Sequence, residues 1–419
     1  MNTKKDSMLF GKADEPIITT LMEVDTYKFL MMYFIWTYVP FMRVTFAFTN
    51  RTIKVVLGDH VSVERLKEEL SAVRTMRITD RIVDYLRAKG IFSEEFLADI
   101  RTIVLPEPQI IKREDGQFDI TVSGIWYQVT LWETIILAIV NQLYAENVIG
   151  YDPAFQQKVI AEGEKRLLEK IATLQKTDIR FLQFGLRRRL SGWWEQHVTE
   201  MALDRMPQNI VAVSNVALAD RVGVPWGGTN AHELYSGFYA LRCYENNDIA
   251  RYAQYEVLEK WQALYPQNLR IMLPDTFGSQ QFFAGLPQEL AENFRGARQD
   301  SGDPIVFGHM LIEMYRRLRI DPKTKTLLFS DGLDVTEMVR LQDAFAQMIT
   351  VLFGWGTNFT NDTGFLKPIS IVMKLIEAAG NPAVKLSDNL AKAMGKPEAI
   401  MMAKNIFGYT NTFTQQCVY

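Results

Sequence analysis

Leu327-Leu328-Phe329-Ser330-Asp331-Gly332-Leu333-Asp334 is an apolar run that stops at a polar, glycine-containing turn, and Val351-Leu352-Phe353-Gly354-Trp355-Gly356-Thr357-Asn358 repeats the arrangement. A short apolar run bounded by turn residues reads as a buried strand. Glycine after the strand lets the main chain approach an anion, and the exposed N–H groups bind phosphate without a cation. The bland alternative is a pair of ordinary strand-to-helix turns. Upstream the pattern recurs at 180–184, 211–213 and 269–273, with helical stretches between the runs. Such alternation predicts βα repetition in an α/β fold, whose active site gathers at the strand C-termini.

The first third is built differently. Residues 43–50 (RVTFAFTN) alternate as a strand, 63–73 and 79–89 carry helical periodicity, and 109–113 pairs with 118–122 through a turn at Asp115-Gly116. A strongly apolar helix follows at 130–143 and a long amphipathic one at 152–174. The stretch 29–42 (FLMMYFIWTYVPFM) is too short, and too broken by Pro40, to span a bilayer, so it reads as a buried helix. No repeat, low-complexity tract or Pro/Ser linker divides the chain.

Composition bounds the function. With 419 residues, 48% hydrophobic and 23% charged, the chain can bury a large core over two or three domains. A net charge of -3 gives no basic footprint for nucleic acid. Cys243 and Cys417 stand alone with no metal-ligand spacing, which fits a reducing cytoplasm better than a disulfide framework. The N-terminal residues show no apolar signal segment, and no membrane partner is expected.

Three other segments carry chemistry-bearing side chains. In Gly227-Gly228-Thr229-Asn230-Ala231-His232-Glu233, one of four histidines sits among small residues, where imidazole can reach a ligand and act as nucleophile. It can equally be a hydrogen-bonded helix start capped by Thr229 or Asn230. Arg298-Gln299-Asp300-Ser301-Gly302-Asp303-Pro304 offers two carboxylates for Mg²⁺ or sugar hydroxyls, or else a cap for a helix beginning at Pro304. Gly185-Leu186-Arg187-Arg188-Arg189 suits phosphate, carboxylate or an aromatic face, or is a solvated helix start.

The ordered strings EVDTYK, FAFTNRT, QFGLRRR, GGTNAHE, RQDSGDP, FSDGLD, FGWGTN, KPISIVMKL and VKLSD span Glu23 to Asp388, and the set resembles the nicotinate phosphoribosyltransferases among the type II phosphoribosyltransferases. The resemblance implies an N-terminal α/β sandwich-like domain (1–130), an irregular TIM-like α/β barrel (131–368) and a C-terminal segment (369–419) returning to the first domain. It implies a cytoplasmic enzyme of NAD salvage. Nicotinate and phosphoribosyl pyrophosphate would give nicotinate mononucleotide and pyrophosphate, with Mg²⁺ and with ATP hydrolysed through a phosphohistidine.

By the same resemblance, His232 takes the γ-phosphoryl group, with Glu233 placed to orient it. Asp275 and Asp300 face ribose or metal, Asp300 and Asp303 hold Mg²⁺, and Arg298 faces phosphate. Asp331, Gly332, Gly354, Gly356 and Thr357 receive the 5′-phosphate. Arg187, Ser214 and Asn215 surround the pyridine, and the neutral Ser214 hydroxyl avoids repelling a carboxylate. Tyr27 joins the base site from a neighbouring subunit of a homodimer. The chain departs from the family at Gln183, where aspartate is usual, at Gln299, where histidine is frequent, and at Ala212-Val213. Gln183 is expected to leave a nearby arginine without its carboxylate. These departures keep open a non-catalytic nucleotide- or pyridine-binding homologue, or a sister transferase using nicotinamide or quinolinate.

Overall fold

Eleven strands fall into two sheets in the computed structural model, which describes residues 6–12 and 14–415. Cys417 lies outside the described residues. The first sheet is antiparallel, in the order β11-β10-β1-β3-β2, with β1 Arg43–Asn50, β2 Gln109–Lys112, β3 Phe118–Ile125, β10 Ile371–Ala378 and β11 Asn381–Pro382. Alternation along β1 buries Val44, Phe46 and Phe48 on one face, as a half-covered antiparallel strand requires. Its partners come from opposite ends of the chain: Phe46 stands opposite Val122 of β3 and Leu375 of β10.

The second sheet is parallel, in the order β5-β4-β9-β8-β7-β6, with β4 Phe181–Gln183, β5 Ile210–Val213, β6 Ile271–Met272, β7 Gly296–Gln299, β8 Thr326–Phe329 and β9 Thr350–Trp355. Chain neighbours pair in turn and β9 returns to β4, the circular order of a barrel, so that β5 and β6 alone remain unjoined. The seam is crossed by the segment holding Gly227 and Asn230. Gly227 N–H donates to the Val213 carbonyl at the end of β5 (3.1 Å), and the Asn230 amide donates to the Ile271 carbonyl of β6 (3.1 Å).

Strand β7 is absent from the sequence expectations because Gly-Ala-Arg-Gln has no apolar run, yet all four residues are buried. Gly296 is required there, since a Cβ would collide with the Thr326 carbonyl of the adjoining strand. The expected helix at 29–42 runs over Thr26–Tyr38 and stops before Pro40, whose ring disfavours helical geometry at the preceding residue. Among the described residues no helix is long and apolar enough to cross a membrane.

Two helices tie the sheets together. Trp132–Ile149 is buried nearly throughout and packs against both β10 and the turn Leu186–Arg188 that follows β4. His232–Arg242 also packs on β10, and its Gly237 lies against the fully buried Trp126 indole. A Cβ at Gly237 would overlap that ring. Alanine normally gains about 1 kcal/mol over glycine in a helix, but overpacking a rigid core costs about 1–3 kcal/mol and more when the neighbour is a locked indole. Gly237→Ala is therefore expected to lower stability by about 1–2 kcal/mol in urea unfolding; a stabilised variant would show that Trp126 has room to yield.

Candidate functional site

A cavity of about 350 Å³ opens at the C-terminal ends of β4, β7, β8 and β9. His232, Arg298, Asp300, Asp331, Gly332, Gly354, Gly356 and Thr357 all line it, so the histidine, the acidic turn and both glycine corners meet at one place. Their convergence follows from parallel strands, which deliver every following loop to the same rim. At the first corner Gly332 adopts φ 61°, a left-handed conformation that favours glycine. At the second, a Cβ on Gly354 would stand 2.5 Å from the Phe184 ring. The opposite wall comes from the antiparallel sheet and the chain after it: Arg51, Lys374, Lys385 and Lys392.

His232 opens its helix with Ala231, not Thr229 or Asn230, at the N-cap position. Thr229 instead accepts a hydrogen bond from Arg298 Nη1 (2.7 Å). The imidazole is 4% exposed; its Nδ1 meets the Thr276 hydroxyl at 2.9 Å. Its Nε2 faces Asp300 Oδ2 at 3.0 Å and Lys385 Nζ at 2.8 Å. Burial, with Lys385 beside it, lowers the ring's pKa to about 4 against the pull of Asp275 and Asp300. The ring is therefore neutral near pH 7, which a nucleophilic nitrogen requires. Burial opposes ionisation of Asp300, but Arg298, His232 and Lys385 outweigh it and hold the carboxyl well below the usual range.

The other end of the cavity holds Arg187. Its Nε lies 3.4 Å from Asp25 Oδ2 and its Nη1 4.0 Å from Glu133, and the guanidinium sits 6.0 Å from the Tyr27 ring centroid. Burial raises the Asp25 pKa to about 6, with Arg187 and the Ser214 hydroxyl opposing. Asp25 Oδ2 has no hydrogen-bond partner. Lys374 is lowered to about 8 by burial, against the pull of Glu133.

Tyr27 lines the cavity of its own chain, held at a helix start where Thr26 N–H bonds the Ser214 carbonyl (2.7 Å). Several other sequence expectations are corrected. Ser214 itself is buried behind Asp25, away from the cavity lining. Asn215 caps the helix Val216–Val222 and bonds Glu195, where it borders a different cavity. Asp303 caps the helix Pro304–Arg317, its Oδ1 accepting from the backbone N–H groups of Ile305 and Val306, and lies outside the cavity lining. Asp275 does not line the cavity; it stands behind His232, 3.6 Å from Nε2 and 3.3 Å from Lys385. Glu233 does not touch the ring and pairs with Lys28 (2.6 Å). No arginine is stranded by Gln183: Arg189 pairs with Glu23 (2.8 Å) and Glu195 (2.9 Å). Gln299 donates to the Ser301 and Gly302 carbonyls and so shapes the acidic turn.

Sequence reasoning missed Arg51, Glu133, Lys374, Lys385 and Lys392. Three of them lie within the quoted strings FAFTNRT, KPISIVMKL and VKLSD, but single cations set far apart along the chain give no local signal of convergence. Asp303 lies outside the cavity lining, so a Mg²⁺ ion would rest on Asp300 and on Asp331, whose Oδ1 also meets Lys392 at 2.6 Å. That set fits an ion using one or two carboxylates and taking its other oxygens from substrate and water. Asp275 Oδ1 is buried and unpartnered, but with Lys385 beside it the His232–Asp275–Asp300 cluster is already partly compensated.

A sequence model of the Nicotinate phosphoribosyltransferase (NAPRTase) family matches residues 179–411, and one of the NAPRTase N-terminal domain matches residues 22–141. Among solved structures, the chain is similar to nicotinate phosphoribosyltransferase from Porphyromonas gingivalis, with 30% identity, coverage of 94% of this chain and 100% of the other, and a TM-score of 0.83. It is also similar to that from Vibrio cholerae, with 28% identity, coverage of 97% and 96%, and a TM-score of 0.85.

The cluster of cations opposite the glycine corners predicts affinity for a diphosphate. Inorganic pyrophosphate at millimolar concentration is expected to raise the melting temperature, and Lys385→Ala or Lys392→Ala to weaken its binding by about tenfold, the worth of one charge-assisted contact. Absence of a shift in the wild type, or equal shifts in all three proteins, would remove the diphosphate assignment.

Proposed function

Because the chain belongs to the nicotinate phosphoribosyltransferase family, we propose that it joins nicotinate to the ribosyl carbon of phosphoribosyl pyrophosphate, releasing pyrophosphate, and couples this to ATP hydrolysis at His232. The observation that carries the reading is the neutral, buried imidazole set in a phosphate-suited cavity beside Lys385 and Asp300.

Each part of the cavity suits one part of the reaction. Arg187, 6.0 Å from the Tyr27 ring centroid, suits the carboxylate of a flat pyridine ring. The Gly332, Gly354 and Gly356 corners and Thr357 suit the 5′-phosphate, and Arg298, Lys385 and Lys392 the diphosphate. Bond formation between the pyridine nitrogen and the ribosyl carbon breaks the carbon–oxygen bond to pyrophosphate through an oxocarbenium-like state. Cations fixed around the departing oxygens stabilise the charge developing there. Mg²⁺, when bound at Asp300 and Asp331, would neutralise diphosphate charge.

In the ATP step, His232 Nε2 bonds the γ-phosphorus while the bond from that phosphorus to the bridging oxygen breaks and ADP leaves. Thr276 holds the far side of the ring and so fixes which nitrogen faces the cavity. The added phosphoryl group brings negative charge beside Lys385, which would draw metal and diphosphate into the arrangement that transfer needs. Arg187 speaks for nicotinate over uncharged nicotinamide, and competition among nicotinate, nicotinamide and quinolinate tests that choice. Intact ion pairs around Arg189 speak against a non-catalytic homologue.

His232→Ala is expected to abolish the acid-labile phosphate formed from [γ-³²P]ATP and to slow ATP-dependent nicotinate mononucleotide formation by at least about 100-fold, the low end for losing a catalytic group. An unchanged ATP-dependent rate in that variant would discard the role of the ring.

Asp25 supplies a pH dependence. Ionised above about 6, it competes with the substrate carboxylate for Arg187; protonated below, it releases the guanidinium. Affinity for nicotinate is thus expected to rise as pH falls from about 7.5 to 5.5, a window in which an ordinary carboxylate stays ionised. Calorimetry should show this in the wild type and a flat profile in Asp25→Asn. A profile that persists in the variant would assign the effect to another group.

A further inference from the structure

Gln183 ends β4 fully buried, outside the cavity lining, with its side chain fixed in direction. Its Nε2 donates to Glu195 Oε1 at 3.0 Å and its Oε1 accepts from the Gly185 backbone N–H at 3.2 Å. One fixed acceptor and one fixed donor leave the amide a single orientation. Glu195 is equally buried, and its Oε2 accepts from Arg189 Nη1 (2.9 Å) and from Asn215 Nδ2 (2.9 Å).

These contacts knit together the segments behind the pyridine end of the cavity. Gly185 opens the turn that carries Arg187, and Ser214, whose N–H bonds the Gln183 carbonyl at 2.9 Å, accepts from the first residue of the helix that carries Tyr27. Neither Gln183 nor Glu195 faces the cavity, but Gly185, Arg187 and Tyr27 do. The carboxylate is on Glu195, where it meets Arg189, and the neutral donor is on Gln183. Aspartate at 183 would be shorter and would set a second negative charge against the first.

We infer that Gln183 and Glu195 form a directional amide–carboxylate pair that positions Arg187 and Tyr27 for the pyridine substrate. Gln183 is a positioning residue, and this inference rests on the functional reading above. The pair has a chemical symmetry that makes it testable. Exchanging the two side chains keeps length, net charge and every hydrogen bond: a carboxylate at 183 accepts from Gly185 and from a new amide at 195, whose oxygen still accepts from Arg189 and Asn215. Either single exchange breaks the set. Gln183→Glu opposes two buried carboxylates, which share a proton at low pH and repel at high pH. Glu195→Gln sets an amide donor against the Gln183 donor or, turned over, against the donors of Arg189 and Asn215.

The charged groups facing the pair are Arg189 from the same turn, Glu23 joined to it, and Asp25, which lies within electrostatic reach of Glu195. Because Asp25 titrates in every variant, profiles are read as ratios to the wild type.

The test is the four-protein cycle of wild type, Gln183→Glu, Glu195→Gln and Gln183→Glu/Glu195→Gln, assayed for nicotinate KM and kcat from pH 6 to 8.5. Contacting groups couple strongly enough that each single variant should raise KM about tenfold with kcat within about twofold. In Gln183→Glu the KM ratio to wild type should grow with pH. The double variant should return to within about threefold of wild type with a constant ratio. An unaltered KM in Gln183→Glu, or a double variant no better than the worse single, overturns the inference. Should Gln183→Glu fail to fold, a double variant that folds and surpasses Glu195→Gln supports the pair, and one that does not overturns it. If the wild type forms no nicotinate mononucleotide, the substrate reading fails. The pair is then judged on melting temperatures, where the double variant must recover what each single loses.

Discussion

Lys28 is wholly buried between two carboxylates, 2.7 Å from Glu133 and 2.6 Å from Glu233. Each of the three residues sits on a different helix, and each is adjacent in sequence or space to a wall of the cavity. Tyr27 precedes Lys28, His232 precedes Glu233, and Glu133 itself faces the cavity with Lys374 at 3.2 Å. Glu233 is further held by Trp126 Nε1 at 2.7 Å and Thr130 Oγ1 at 2.6 Å. Taking Lys28 away would strip the buried Glu233 of its cation, and leaving a buried charge uncompensated in this way typically costs about 3–5 kcal/mol. The network thus explains why helices from three distant parts of the chain meet with the orientation they have.

That anchor also sorts the charges of the cavity. Glu133 and Glu233 hold Lys28, Glu133 also meets Lys374 at 3.2 Å, and Asp275 stands behind Lys385 at 3.3 Å, so the cations reach the opening each beside a carboxylate. Asp300 and Asp331, beside the glycine corners, meet these cations directly, with Lys392 at 2.6 Å from Asp331 and Lys385 at 4.0 Å from Asp300. A phosphorylated sugar with a diphosphate needs this division, with neutral backbone donors at one end, cations along the leaving group and a few carboxylates for hydroxyls or metal. Burial strengthens each of these interactions because little water competes.

The sequence made some of this legible and concealed the rest for physical reasons. Strands β8 and β9 are apolar on both faces and were visible, while β7 carries the polar Arg298 and Gln299 inward and has glycine where its neighbour's carbonyl comes close. The DSGDP turn was recognisable as acidic, but one of its carboxylates spends itself as a helix cap, an option the local sequence leaves equally open. Ser214-Asn215 belongs to the supports behind the Arg187 end of the cavity, and its string does not tell support from lining. Lys374, Lys385 and Lys392 reach the cavity only because β10 returns to pair with β1, a contact between residues more than 300 positions apart by the register of Phe46 with Leu375. No local pattern encodes such a return.

The seam between β5 and β6 shows how the fold makes room for chemistry. A closed barrel would pair these strands and fill the space between them with side chains. Here the Gly227–Asn230 segment lies across the gap, and its small residues let other groups approach: a Cβ at Gly227 would meet Ala212 at 2.5 Å, and one at Gly228 would meet the Tyr27 backbone nitrogen at 3.2 Å. Bulk at either position would push the segment away from β5 or from Tyr27. Since Asn230 ties the same segment to β6 and Ala231 leads directly into His232, such a displacement would carry the imidazole with it. The interruption of the barrel is therefore what places a neutral histidine at the rim, between the glycine corners of the parallel strands and the returning sheet that brings the lysines.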